Sequence, residues 1–464
     1  MLADAASQLV VESYEQMLKD YSPDLAHTER RNRLELDLSG TEGVDLRYLW
    51  PLPLEALNVA GCGLDDSCGL AALRKVGLKK LNLMSNALQA VPMECFDEGS
   101  VLAARLELLG LKGNRLARLP PSIGALRRLT ALFLTDNRLE VLPPEIGQLT
   151  ELRKLQAASN RLRGLPEQMC AMARLELLRV PVNAISDVKA VAAALSAPRL
   201  RWLSLASNAA FDTPQAAKDA LAALPVVDFA ELRSMGALSD EEFGGASGGE
   251  VTRVFSPKHG EVALKLFAAA SSGVVSPDGA AEDERALVAH LGDECEHVPV
   301  ALARLEGERK GLLLRLVEGR PLAMKPRDSV RMLRCRYAAD ALFDARWALS
   351  VARGVAAGAC HMRERGVCHG DIYAHNVLVD DAGKATLIDL GASFAYARQG
   401  SDSAASRVIE AAESRALGTL ISELAERVPE VSRQSSAHAA MVAAAAVGEQ
   451  GAPVSEVMEA LLVA

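Results

Sequence analysis

Three polar side chains in the second half of the chain carry the clearest chemical signal. The stretch VCHGDIYAHNVLVDD places Asp371 and Asn376 five positions apart in an otherwise apolar pattern, and Asp389 follows in LIDLGASF. Phosphoryl transfer needs an acid that accepts or orients a hydroxyl proton, and oxygen ligands that hold Mg²⁺ against the phosphates. We therefore predict that Asp371 is catalytic and that Asn376 and Asp389 bind the metal. Taken alone, the stretch would also fit a turn rich in Asp and Asn.

A lysine and a glutamate upstream complete this set. Lys265 lies in EVALKLF, an apolar strand pattern in which a charge must face something buried. Protein kinases use such a lysine to hold the α- and β-phosphates of ATP, and it needs a carboxylate partner on a nearby helix. We predict that this partner is Glu284, 19 residues later in the helical segment AAEDERALVAHL. Glu282, on a different face of the helix, is the alternative.

A glycine-rich stretch, EEFGGASGGEV, precedes the lysine strand. Its backbone amides could fold over phosphates, although a GxGxxG pattern alone is weak evidence. If Gly244 and Gly249 are aligned with the outer glycines of the motif, Ala246 takes the place of the middle glycine. If Gly245 and Gly248 are aligned instead, Glu250 stands where an apolar residue should cover the adenine. The predicted nucleotide-binding residues come from this stretch, the lysine strand and the hinge: Gly244, Gly245, Gly248, Gly249, Val251, Ala263, Lys265, Leu314 and Val317.

The first half of the chain repeats the pattern LxxLxLxxNxL seven times between residues 54 and 210, with steps of 23 residues through the middle. This is the period and consensus of leucine-rich repeats. One unit cannot bury its own leucine face, so the units must stack into a curved solenoid. We predict a helical cap over residues 1–30, repeats over 31–225 and a second domain over 226–464.

The outward-facing residues of the repeat strands form what we call the concave lane. Extended concave surfaces are what this architecture offers to a protein partner. We predict that a partner binds there, although each side chain taken singly also fits an ordinary solvated strand face. The lane residues are Asn82, Lys112, Phe133, Gln156, Arg179 and Ser204.

The bulk composition narrows the class of protein. A chain of 464 residues predicts two domains. A net charge of −9 disfavours binding to nucleic acid or to an anionic membrane. The eight cysteines form no CxxC and no metal spacing with histidine, which favours free thiols in a reducing compartment. No signal peptide and no membrane-spanning run is recognisable, so we expect a cytoplasmic protein.

These motifs together resemble the protein kinase fold over roughly residues 226 to 464. The whole chain resembles the soluble leucine-rich-repeat protein kinases of bacteria, in which the repeats also come first. The predicted fold class is therefore an α/β leucine-rich-repeat solenoid followed by an α+β two-lobed protein-kinase-like domain. The resemblance implies ATP and Mg²⁺ as ligands and hydroxyl side chains of proteins as acceptors, Ser/Thr more than Tyr.

Several residues depart from the kinase pattern. The His-Arg-Asp motif reads His369, Gly370, Asp371, and the missing arginine normally reads a phosphate on the activation loop. We therefore predict that phosphorylation of that loop does not switch this protein on. Tyr373 replaces a lysine that would contact the γ-phosphate, so transfer is expected to be slower. About twenty residues separate DLG from the next helix, and no Ala-Pro-Glu follows. We therefore expect the activation segment, on which protein kinases usually bind a peptide substrate, to be shortened. Serines in SDSAAS, residues 401–406, are candidate self-phosphorylation sites.

Two other functions fit part of the pattern. HGD followed by Asn and then IDxG also occurs in small-molecule phosphotransferases of the aminoglycoside-kinase type, which lack the activation segment. A nucleotide-binding pseudokinase that serves as a scaffold is the third hypothesis, although a scaffold has no need of the complete catalytic set. The repeat domain and the lack of an acidic insertion for a cationic sugar favour a protein kinase.

Overall fold

A computed structural model describes most of the chain. The described residues are 34–49, 52, 54–238, 249–267, 278–308, 310–326, 333–396 and 404–463. The chain forms two compact units, the first comprising Met1–Leu155 with Asn160–Arg174, the second Gln156–Ser159 with Leu175–Ala464. The domain boundaries predicted at 30/31 and 225/226 stay predictions, and the predicted cap lies outside the described residues.

The first unit is built on short parallel strands that follow one another in chain order. Leucines of neighbouring strands stand in register, as with Leu57, Leu81, Leu109 and Leu132, and each is at most 1% exposed. This leucine stack is the core that a single repeat could not form alone. The strands are β1 (Leu34–Asp37), β2 (Leu54–Asn58), β3 (Lys80–Asn82), β4 (Leu108–Gly110), β5 (Ala131–Phe133) and β6 (Lys154–Gln156), with helix α1 at Val101–Arg105.

Consensus asparagines connect successive repeats. The Asn114 side chain donates to the carbonyl oxygens of Leu83 (2.9 Å) and Leu111 (3.0 Å) and accepts from the Leu88 amide (3.1 Å). These backbone groups would otherwise be buried without partners where the chain leaves the strand, which is destabilising. Asn114 thus connects its own repeat to the one before it.

The second unit begins with the last two repeats. Their parallel strands are β7 (Leu177–Arg179) and β8 (Trp202–Ser204), and helices α2 (Lys189–Leu195) and α3 (Gln215–Ala223) follow them. Leu177 and Trp202 lie in the same apolar core as the helices near the carboxyl terminus. The last repeats therefore share a core with the second half of the chain.

An upper lobe follows, with an antiparallel sheet in the order β12-β13-β11-β10-β9. Its strands are β9 (Arg233–Ala237), β10 (Gly249–Ser256), β11 (Gly260–Phe267), β12 (Ala301–Leu305) and β13 (Gly311–Arg315), and helix α4 is Ala281–Leu291. Lys265 lies in the middle of this sheet, opposite Val251 and Leu312 on the flanking strands.

The lower lobe is mainly helical. Helix α5 begins where the Asp344 carboxylate accepts from the amides of Arg346 (2.9 Å) and Trp347 (3.1 Å), a regular N-cap. The helices are α5 (Ala345–Glu364), α6 (Ala404–Glu426), α7 (Ser436–Glu449) and α8 (Val454–Leu462). Five short strands accompany these helices: β14 (Arg320–Pro321), β15 (Val367–Cys368), β16 (Val377–Val379), β17 (Ala385–Leu387) and β18 (Phe394–Ala395).

Among the described helices, none combines the length and apolarity needed to cross a membrane. All eight cysteines are free, with no disulfide among them.

Candidate active site

A buried ion cluster joins the two lobes at the cleft between them. The Lys265 ammonium on β11 donates to the Glu284 carboxylate on α4 and, at 3.2 Å, to Asp389. The side chains of Lys265 and Glu284 are 7% and 4% exposed. Glu282, the alternative partner, is half exposed and instead pairs with Arg285 and Lys310. The structure thus brings together the lysine, the glutamate and the second acid that the sequence singled out.

Asp389 lies at a sharp turn of the backbone, with φ of 61°. Burial by itself would raise the pKa of Asp389, but the charge and hydrogen bond of Lys265 outweigh it and hold the pKa at about 2. Lys265 is buried as well, yet the charges of Asp389 and Glu284 raise its pKa. The lysine is therefore cationic and Asp389 anionic at neutral pH, as a site for phosphates and a metal requires.

We call residues 369–376 the catalytic loop, after the predicted role of Asp371. This loop carries Asp371 and Asn376, and it is hydrogen-bonded to the segment that carries Asp389. The Asn376 amide donates 3.0 Å bonds to the Asp371 carbonyl and to its Oδ2. The Asn376 carbonyl accepts from the Ile388 amide at 2.8 Å, which fixes Asn376 beside Asp389. Hydrogen bonds from the backbone and from side chains therefore hold Asp371, Asn376 and the segment before Asp389 together.

Two buried groups hold this loop from behind. The His369 ring contacts the carbonyl oxygen of Ile388 at 3.2 Å, and burial lowers the pKa of His369, so the ring is neutral. Glu413, on α6, accepts hydrogen bonds from the amides of His369 (2.5 Å) and Gly370 (3.3 Å). Its burial raises the pKa of the Glu413 carboxyl to about 7. The sequence predicts a helix in this part of the chain, but no motif marks this glutamate as a functional residue.

A cavity of about 380 Å³ opens in front of the ion cluster. Its apolar walls can receive a flat ring system, and its polar end holds Lys265, Asn376 and Asp389. Val251, Ala263, Leu314 and Val317, predicted to bind the nucleotide, all line it. Gly249 is the first residue of β10, and Gly244, Gly245 and Gly248 lie outside the described residues.

Lys325 is a further lining residue that the sequence analysis did not single out. Its charge helps to lower the pKa of Asp389 and also lowers that of His375. It begins the basic run KPRDSVRMLRCRY, residues 325–337, whose pattern favours a solvated helix face. Nothing in that run distinguished Lys325 from its neighbours, so only the fold reveals its place at the cavity.

Three residues of the concave lane, Phe133, Arg179 and Ser204, are buried in the structure, contrary to the prediction. Arg179 and Ser204 were predicted to face a partner, but they are only 2% and 0% exposed. The Arg179 guanidinium donates to the Asp371 carboxylate, and Ser204 donates to the Asp278 carbonyl. The prediction was wrong for these two residues because the same chain covers them.

Comparisons with known proteins agree with both halves of this description. Residues 101–248 match the family described as a leucine-rich repeat region, and residues 241–411 match the family described as protein tyrosine and serine/threonine kinase. The chain therefore contains a leucine-rich-repeat region and a protein kinase domain, which confirms the predicted fold class and enzyme class.

Among solved structures, a leucine-rich-repeat protein of Leptospira interrogans is 26% identical, with a TM-score of 0.32. The similarity covers 41% of this chain and 52% of that chain, about half its length. A comparison with curated proteins found no match.

Proposed function

We propose that this protein transfers the γ-phosphoryl group of ATP to hydroxyl side chains of proteins in a Mg²⁺-dependent reaction, with Ser and Thr favoured over Tyr. The observation that carries the proposal is the cluster of Lys265, Glu284 and Asp389 at one end of an apolar cavity, with Asp371 and Asn376 tied to it. Each of these residues has a place in phosphoryl transfer, and a simple binding scaffold would have no need of the complete set.

The donor set fits a divalent cation bound to phosphates. Asp389 is ionised, Asn376 adds an amide oxygen, and hard oxygen ligands of this kind suit Mg²⁺. When bound, the ion would neutralise the negative charge that develops on the phosphates during transfer. Lys265 is held by two carboxylates so that its ammonium faces the cavity, where α- and β-phosphates would lie.

Asp371 would act on the acceptor. The hydroxyl oxygen forms a bond to the γ-phosphorus, the bond to the ADP oxygen breaks, and Asp371 orients or receives the hydroxyl proton. Asn376 keeps one oxygen of the Asp371 carboxylate in place through the 3.0 Å hydrogen bond to Oδ2. The arrangement orients the acceptor hydroxyl, which suits a reaction with a loose transition state.

The leucine-rich repeats offer a surface for protein partners. Asn82 and Lys112 in the first unit and Gln156 at the start of the second are partly exposed, whereas Phe133 is buried. The amide of Asn82 donates to Asn58 at 2.9 Å, so this part of the lane has fixed polar groups. We propose that a partner or substrate protein binds along these residues. Cytoplasmic location stays a prediction.

The test is transfer of label from γ-labelled ATP with Mg²⁺, offered to generic protein substrates and, separately, to a panel of aminoglycosides. Asp371→Asn should reduce labelling of protein by at least about a hundredfold, because it removes the group that orients the hydroxyl. Asp381→Asn, an exposed aspartate in the same stretch, is the matched control and should leave labelling unchanged.

Label in the aminoglycosides alone would mean that the acceptors are small molecules, as in phosphotransferases of the aminoglycoside-kinase type. Nucleotide binding without any transfer, in wild type and Asp371→Asn alike, would instead favour the scaffold.

A further inference from the structure

The last two repeats lie directly against the catalytic loop. The Arg179 guanidinium on β7 donates to the Gly370 carbonyl at 2.9 Å and to the Asp371 carboxylate. The Arg179 side chain is 2% exposed and that of Asp371 is 20% exposed, so a buried arginine pairs with a partly buried predicted catalytic acid. Asn376 holds the other oxygen of that carboxylate. Both carboxylate oxygens of Asp371 are therefore restrained, one from within the loop and one from the repeats.

The backbone of β8 approaches the same loop closely. The Leu203 amide donates to the Gly370 carbonyl at 3.0 Å. A Cβ at position 370 would lie 2.1 Å from the Leu203 carbonyl oxygen, and φ of Gly370 is +74°, so only glycine fits there. The residue that departs from the His-Arg-Asp pattern is thus the residue that lets the repeat strand reach the loop.

Trp202 extends this contact along the loop. Its indole N–H donates to the Ile372 carbonyl at 3.1 Å, and its ring stacks on Tyr373 with centroids 4.3 Å apart. Tyr373 is the position at which many kinases carry a lysine. An aromatic ring there gives Trp202 a flat apolar surface to pack on, which a lysine would not provide.

The same repeats also hold the helix that carries Glu284. Arg179 pairs with Asp278, just before α4, at 3.3 Å. Asp283 in the first turn of α4 accepts from the hydroxyl groups of Ser207 and Thr213. Helix α3, at the end of the repeats, shares a buried apolar cluster with α4. The last two repeats, together with helix α3, therefore contact both the catalytic loop and helix α4, which carries the partner of Lys265.

We propose that Arg179 is a positioning residue for phosphotransfer, and that the last two repeats hold the catalytic loop and helix α4 in their working arrangement. This inference rests on the proposed function. Arg179 brings a cation to Gly370 and Asp371, where this chain lacks the usual arginine. It joins Asp278 on one lobe to Asp371 on the other, so the two lobes are coupled without a phosphate on an activation segment.

Charge and burial favour this assignment. A buried arginine is stable only when paired with acids, and Arg179 has two of them in addition to the Gly370 carbonyl. Neither Arg179 nor Asp371 is among the described residues that line the cavity predicted to hold the nucleotide. The arginine therefore acts on the acid and its loop, and its loss should change turnover more than nucleotide binding.

The experiment compares Arg179→Gln and Arg179→Lys with wild type in the full chain, measuring kcat and KM for ATP with a generic protein substrate. Arg179→Gln should lower kcat about a hundredfold, because a misplaced acid loses orientation, while KM for ATP changes little. Arg179→Lys should recover part of kcat, since it keeps the charge but loses the fork. A purely structural arginine would not give this separation of kcat from KM or this partial rescue.

Arg201→Gln is the matched control. Arg201 in the last repeat also pairs with an acid, the partly exposed Glu449, and donates to the Thr419 hydroxyl at 2.8 Å, but its hydrogen bonds among the described residues do not include the catalytic loop. Equal kcat values for Arg179→Gln and Arg201→Gln would overturn the inference, and so would a rise in kcat, which would mean that the repeats block the acid. Wild type that binds ATP without transferring it would overturn the proposed function together with the inference. Unchanged kcat in Arg179→Lys overturns it even if Arg179→Gln does not fold.

Discussion

Glu413 is expected to make the stability of the second unit fall as pH rises through neutrality. The carboxyl is 2% exposed and accepts from the amides of His369 and Gly370, and burial raises its pKa from 4.5 to about 7. One pKa unit corresponds to about 1.4 kcal/mol, so the full shift is equivalent to about 3 kcal/mol. Because the pKa of Glu413 is higher in the folded protein than in the unfolded chain, the protonated carboxyl favours the folded state. This contribution to the free energy of unfolding is complete below pH 4.5 and is lost as pH rises through 7.

Glu413→Gln isolates this effect. The glutamine carbonyl can still accept from both amides, but the side chain does not titrate. The free energy of unfolding of the second unit should therefore decrease less in the variant than in wild type between pH 5 and pH 8, by up to about 3 kcal/mol. Urea denaturation of both proteins across this range, with the difference taken at each pH, removes the contribution of the other titrating groups.

A difference between the two proteins that stays constant from pH 5 to pH 8 would refute the reasoning. It would mean that Glu413 ionises in the folded protein as it does in the unfolded chain. A difference of the opposite sign, with wild type gaining stability as pH rises, would mean that the two amides stabilise the carboxylate more than burial disfavours it.

Two further substitutions test the ion cluster and the close approach at the loop. Lys265→Met leaves Glu284 buried without its cation and should destabilise the second unit by about 3 kcal/mol or more, measured by thermal unfolding; unchanged stability would contradict a charged cluster. Gly370→Ala should destabilise it by more than Gly260→Ala in the same assay. Both glycines have positive φ, but only a Cβ at 370 meets the Leu203 carbonyl, so equal losses would show that the loop can move away.

Much of the molecule follows from local spacing. The leucine period predicts the strands, and Leu81 and Asn114 take the places that their positions in the repeat require. Lys265 and Glu284 come from short motifs whose order along the chain is characteristic, and their approach depends only on a strand and the helix after it. Such features are visible because each repeat or motif constrains its own neighbours.

The contact between the repeats and the loop was not visible in the same way. Arg179 occupies the same slot in its repeat as Asn82 or Lys112, and nothing in the pattern distinguishes a slot that faces solvent from one covered by a distant segment. Its partner Asp371 is 192 residues away. Periodicity describes a repeat and its neighbours, so it carries no information on what else the chain brings to that face.

The signals of this contact lay instead in the residues that fit the kinase pattern poorly. Gly370 stands in the place of an arginine, and Tyr373 in the place of a lysine. Taken separately, these two departures suggest a weakened enzyme. In the structure both face β8, where Gly370 leaves room for the backbone of Leu203 and Tyr373 supplies a surface for Trp202. The cation of Arg179 and the ring of Trp202 thus lie against the loop in the places where these two residues depart from the kinase pattern.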